Sequence, residues 1–143
     1  MKFRIAASAV LGWAALWGAL WGQDAPSRSV WDGVYTEAQA KRGQPLYNQQ
    51  CSSCHGDLLT GGEMAPPLAG GDFLANWTGL TMGDLFERIR KTMPGTKPGS
   101  LSRETNADIT AYMLSVNNFP AGEKELSSKT EMLSQIRIDA NKK

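Results

Sequence analysis

The chemistry of this sequence is concentrated in Cys51-Ser52-Ser53-Cys54-His55, which holds both cysteines of the 143-residue chain and its one histidine. Two thiols separated by two residues and followed at once by an imidazole have the spacing at which a chain bonds covalently to both vinyl groups of a haem. The histidine is then brought under the iron. The motif therefore names a cofactor, one covalently attached haem c with its iron. Three other readings compete. A thioredoxin-like redox pair needs a strand and a helix N-terminus to activate one thiol, and no strand pattern precedes Cys51. A closed zinc site needs a second pair of ligands, which the chain lacks. A structural disulfide is poorly made across a two-residue loop.

An iron held by histidine takes a thioether as a good sixth ligand, and of the six methionines Met93 is set apart. It lies in Thr92-Met93-Pro94-Gly95-Thr96-Lys97-Pro98-Gly99-Ser100, a polar loop with little core to join, and Pro94 pushes it out of helical geometry. Met82 and Met113 fall on apolar helical stripes and Met132 in the tail. Met64 follows His55 so closely that it should stay on that side of the ring. The expected site is Cys51 and Cys54 for attachment, with His55 and Met93 as metal ligands. No catalytic residue is expected.

Helices must position these groups. Thr36 and Gln39 read as a capping box opening a first helix that runs through Gly43, Leu46 and Tyr47 toward Cys51. Gly43 lets another helix approach, and Pro45 should kink the helix or cost it a hydrogen bond. From Gly56 to Asn76 the glycines and prolines predict a long irregular loop around the cofactor. Ala65-Pro66-Pro67-Leu68 in that loop could set a backbone carbonyl against the second nitrogen of His55, fixing its tautomer. Phe73 and Trp77 read equally as core or as haem contacts, the Trp77 ring nitrogen reaching a propionate in the second case.

Thr81 and Asp84 open a second helix with Met82, Leu85, Phe86 and Ile89 on one face. Arg88, Arg90 and Lys91 close it, either as a solvated face favoured by the helix dipole or as charges that steer an acidic partner. Ser102 caps a third helix carrying Ile109, Tyr112, Met113 and Val116, stopped after Asn117-Asn118 by Pro120. The tail from Ala121 is polar with an apolar patch at Met132, Leu133, Ile136 and Ile138, and reads as a short helix or an extended strap.

Net charge is +1, with basic and acidic residues nearly balanced, which excludes the usual nucleic-acid binder. Met1 to Arg4 is basic and Ile5 to Gly22 is apolar, so residues 1–22 read as an export signal, or as an uncleaved anchor, since the run is near the roughly 18 residues that span a bilayer. Residues 23–35 form a lead-in expected to lie on the surface, 36–120 the haem domain and 121–143 a C-terminal extension. A mature domain of about 120 residues has limited apolar surface to bury, and a bound haem would supply part of its core.

The chain resembles the class I c-type cytochromes: a helix leading into Cys51-Ser52-Ser53-Cys54-His55, Pro67-Leu68, the Met93-Pro94 loop and a closing helix through Tyr112. More narrowly, Asp84-Leu85-Phe86-Glu87-Arg88-Ile89, Pro98-Gly99-Ser100-Leu101-Ser102 and Asn118-Phe119-Pro120 are similar to cytochromes associated with pyrroloquinoline-quinone-dependent dehydrogenases. The resemblance implies an all-α, cytochrome c-like fold of about three main helices around one haem c, with His55 and Met93 as axial ligands. Pro45 departs from the pattern.

The leading functional reading is an exported, periplasmic one-electron carrier rather than an enzyme. Its redox partners would be a quinoprotein dehydrogenase or a quinol-oxidising complex on one side and a terminal oxidase on the other, with membrane association only through the N-terminal segment. A haem-based peroxidase or gas sensor with a labile sixth ligand is the catalytic alternative, weakened by the lack of a distal acid–base residue. A cytochrome subunit docked permanently on a larger oxidoreductase, through the Trp31 region and the tail, is the third.

Overall fold

Thr36 starts the first long helix in the computed structural model, which describes residues 26–143. The expected signal or anchor over residues 1–22 lies outside the described residues. Helix α1 spans Glu37–Gln50, with the Thr36 side chain accepting from the Gln39 backbone N–H. The reciprocal half of the expected capping box is missing. Gln39 instead turns inward, its side chain donating to Leu126 O at 3.0 Å and accepting from Leu126 N at 2.6 Å. Burial of an amide is tolerable because both of its ends are bonded. Pro45 removes one N–H from the ladder, yet α1 runs through it to Gln50.

Gly43 decides how α1 packs. Its most extensive partner is α5 (Arg103–Val116), capped by Ser102 as the sequence predicts. A Cβ built on Gly43 would overlap the Asp108 carbonyl and lie 3.0 Å from Tyr112 Cβ, so only glycine permits this crossing. Tyr47 and Tyr112 then meet with ring centroids 5.5 Å apart. Arg42 closes the same crossing from outside, bonding both Asp108 oxygens and Glu125.

Between these helices come α2 (Ser52–His55), α3 (Gly71–Trp77) and α4 (Met82–Thr92). Helix α4 has the full predicted capping box at Thr81 and Asp84, and buries Met82, Leu85 and Phe86. The irregular loop is shorter than expected, because α3 takes over at Gly71. Gly70 ends the loop at φ 83°, and Phe73 and Trp77 share a helical face one turn apart.

The lead-in corrects the expectation of a surface segment. Arg28–Ser29 (β1) pairs in parallel with Ile136–Arg137 (β2), and Val30, Val34 and Tyr35 are buried. The tail is both of its alternatives, a short helix α6 (Thr130–Leu133) followed by β2 as a strap. Leu126, Leu133, Ile136 and Ile138 are core, each worth roughly 1.5–3 kcal/mol on full burial. Gly33, at φ 63°, and Gly122 touch through their backbones, Gly122 N donates to Tyr35 O at 2.7 Å, and Trp31 Nε1 donates to Asp139 O at 3.0 Å. The lead-in and tail thus pack on each other. The architecture is all-α apart from this two-residue strand pair. Among the described residues no helix is long and apolar enough to cross a membrane.

Candidate functional site

Helix α1 delivers the cysteines by its ending. Cys51 is at once the C-cap of α1 and the N-cap of α2, and one further turn carries Cys54 and His55. Tyr47, fully buried, donates its hydroxyl to Gly56 O at 2.7 Å and so pins the chain just after His55. Gly61 N donates to His55 O at 2.8 Å and Leu68 N to Leu59 O at 2.8 Å, folding the proline segment back over the motif.

His55 Nδ1 lies 2.8 Å from Pro66 O, the carbonyl contact that the sequence suggests. A carbonyl only accepts, so Nδ1 carries the proton and Nε2 keeps its lone pair. Gly61 makes this wall possible. At φ 73°, a Cβ there would sit 2.5 Å from Pro67 N and 2.9 Å from Ala65 O. Asn117, expected only as a helix stop, holds the same loop, donating to Leu68 O and accepting from Gly70 N, both at 3.0 Å. Its position at the end of α5 is the only sequence signal for that role.

Met93 comes from the other side of the fold. It is the C-cap of α4 in extended conformation, as Pro94 requires, and its N–H donates to Ile89 O at 2.9 Å. The Met93-Pro94 bond is cis, and Pro94 is buried. Lys97 N bonds Pro94 O, and Gly99 N bonds Met93 O.

These elements enclose a largely apolar cavity of about 730 Å³, within the usual size of a cofactor site. Cys51, Cys54, His55 and Met93 all line it, together with Trp77 and Leu85. Trp77 reaches the cavity while Phe73 goes to the core, which separates the two aromatics. Met64 and Met113 also line it, the first exposed and the second on the buried stripe of α5.

Both thiols are free of a disulfide. Burial pushes the Cys51 thiol up to about 11, the reverse of the lowered value an exchange nucleophile needs. Among the described residues no three His, Cys, Asp or Glu side chains are grouped to hold a metal ion by themselves. The donor set, two thiols and an imidazole with thioethers on an apolar cavity, is one that would suit a covalently attached haem.

The chain is 34% identical over 105 residues to the thiosulfate dehydrogenase of Stutzerimonas stutzeri (strain A1501), a match covering 67% of this chain and 34% of that protein. It thus spans about a third of that curated relative. The sulfane dehydrogenase SoxCD from Paracoccus pantotrophus superposes with a TM-score of 0.49 at 25% identity, over 89% of this chain and 66% of that one. Residues 38–113, which hold nearly all of α1, the Cys-His motif, the proline loop, the methionine turn and most of α5, match the family model described as cytochrome C oxidase, cbb3-type, subunit III. The chain belongs to that family of cytochrome c domains, in which haem c is covalently held and the work is electron transfer.

Proposed function

We propose that this chain is an exported, periplasmic monohaem cytochrome that passes single electrons, with Cys51 and Cys54 bonded to the haem and His55 and Met93 as the axial ligands. The observation that carries the reading is the His55 Nδ1–Pro66 O hydrogen bond in a wall of the same cavity that Met93 lines. Haem c, when bound, supplies a one-electron couple whose potential an axial thioether raises. With His55 and Met93 both bound to it, the iron would offer no open position to a substrate, which favours electron transfer over peroxidase or gas-sensor chemistry. Leu85, Ile89, Ile109 and Met113 keep the site apolar, and the Pro66 carbonyl holds the imidazole in one tautomer.

Residues 36–120 would be the haem domain, entered from a signal or anchor over 1–22 through the lead-in 23–35 and closed by the extension 121–143. The likeness to a protein named thiosulfate dehydrogenase supports a dehydrogenase among its redox partners; the donor is a quinoprotein dehydrogenase or else a quinol-oxidising complex. A terminal oxidase is the acceptor. The spectrum of the oxidised protein tests the ligand set. Met93→Ala should abolish the long-wavelength sulfur-to-iron band, and Met64→Leu should leave it intact. The reverse pattern, or an unchanged band in both, rejects Met93.

A further inference from the structure

Charge is segregated along the chain around the cavity. From Gly43 to Glu87 there is no lysine or arginine, and the acids are Asp57, Glu63, Asp72, Asp84 and Glu87. From Arg88 to Arg103 there is no acid, and the bases are Arg88, Arg90, Lys91, Lys97 and Arg103. The fold converts this linear division into a spatial one, because the acidic stretch contains α2, the proline loop and α3, while the basic stretch contains the end of α4 and the Met93 loop. Two acids on α4 are the exceptions in space: Asp84, which lines the cavity one turn before Arg88 and is tied to the Thr81 cap, and Glu87. Glu87 is the more heavily paired. It pairs with Arg90, Lys91 and Arg103, and leaves that cluster net positive.

Asp84 on the rim is committed to the Thr81 cap, while four charges close to the lining residues in sequence, with Asp57 two residues past His55, are not. Asp57 and Glu63 on one side, and Arg88 and Lys97 on the other, are exposed and in no ion pair among the described residues. Arg88 lines the cavity, Glu63 precedes the lining residue Met64, and Lys97 follows the lining residue Thr96. Between the lobes the surface is apolar and open. Met64 is 81% and Leu80 44% exposed, and both line the cavity. Exposed apolar surface gathered at one rimmed opening, rather than scattered, marks an interaction site.

We propose that this mouth docks a redox protein through a two-lobed face: an apolar centre at Met64 and Leu80, an acidic lobe at Asp57 and Glu63, and a basic lobe at Arg88 and Lys97. The partner's face then carries a basic patch opposite the first lobe and an acidic patch opposite the second. A ring of one sign attracts a partner without fixing its rotation about the approach axis. Two lobes of opposite sign set that rotation as well, since each wrong alignment opposes like charges. This rests on the reading that electrons pass through this cavity's mouth.

Two inert paramagnetic probes test it on the reduced holoprotein at low ionic strength, the trianion hexacyanochromate(III) and the trication tris(ethylenediamine)chromium(III). The anion should broaden the amide resonances of Arg88 and Gly95 to Lys97, and the cation those of Asp57 and Gly62 to Glu63. Both effects should vanish near about 1 M salt, where the screening length is ~3 Å. Lys97→Glu should weaken the anion's effect about tenfold at low salt without moving the cation's, and Glu63→Lys should do the converse. Both probes on the same residues, or neither at the mouth, overturns the proposal.

Electron exchange gives a second readout. Ferricyanide takes one electron from the reduced protein to become ferrocyanide, and hexaammineruthenium(II) gives one to the oxidised protein to become ruthenium(III). With two lobes both reactions slow as salt rises, whereas a rim of one sign would slow one and speed the other. The broadening pattern is read without electron transfer, so a redox-inert preparation counts against the functional reading while the pattern still decides the docking face.

Discussion

The two walls of the cavity are built by different means. The His55 wall is cross-tied: Tyr47 to Gly56, Gly61 to His55, His55 to Pro66 and Leu59 to Leu68. Asn117 then fastens the loop to α5. The Met93 wall is a helix end followed by a loop whose backbone bonds stay local, Ile89 to Met93, Pro94 to Lys97 and Met93 to Gly99. Its outer support comes nearly two turns earlier, where Glu87 gathers Arg90, Lys91, Arg103 and Thr130. The imidazole is thus held by bonds from several parts of the chain, and the thioether sits on a wall held mostly by its own turn.

The sharpest test of that contrast is a pair of alanine substitutions. Gly61→Ala adds a Cβ at φ 73° within 3 Å of three backbone atoms of the proline segment. It should cost about 2–4 kcal/mol from left-handed strain and overpacking together, and loosen His55, by thermal or denaturant unfolding. Gly95→Ala in the methionine loop meets nothing within 4 Å, and should stay within about 0.5 kcal/mol of the parent. Equal losses would break the comparison.

Tyr47→Phe removes one buried bond from the tied wall and should cost about 1 kcal/mol in the same measurement. Met93→Leu keeps the apolar volume and should cost under about 1.5 kcal/mol while removing the sulfur band, a functional loss larger than its structural one.

The smallest effect is in acid. The hydrogen bond from Arg90, then that from Thr130, hold the Glu87 carboxyl well below the usual carboxylate range against the opposing effect of burial. A depressed folded value contributes stability that is present above the unfolded value of about 4.3 and is lost as pH falls toward the folded one. Glu87→Gln should therefore flatten the acid limb of the stability curve below about pH 4, and the methionine resonances should shift before those of His55 as wild type is acidified.

What could be read ahead of the fold was set by local rules. Capping by Thr36, Thr81 and Ser102, the Gly43 approach, the extended Met93 before Pro94 and the carbonyl for His55 each depend on a few neighbouring residues. What could not be read depends on distant ones. Gln39 looks like half of a capping box until Leu126 offers it two backbone partners 87 residues away. Val30 and Tyr35 look exposed until the chain after α5 returns beside the lead-in, where Tyr35 donates to Phe119 O and accepts from Gly122 N. The short helix at Gly71–Trp77 was hidden by the glycines that precede it, one of which, Gly70, is the left-handed residue that turns the chain into it.

The central claim is that Cys51 and Cys54 hold a haem by two thioether bonds with His55 beside it. Mass spectrometry of the exported protein, digested to release the peptide from Cys51 to His55, addresses it most directly. The expected result is one haem mass on that peptide and no thiol left to alkylate. Two alkylated cysteines, with the pigment absent or extracted by acid acetone, would contradict it.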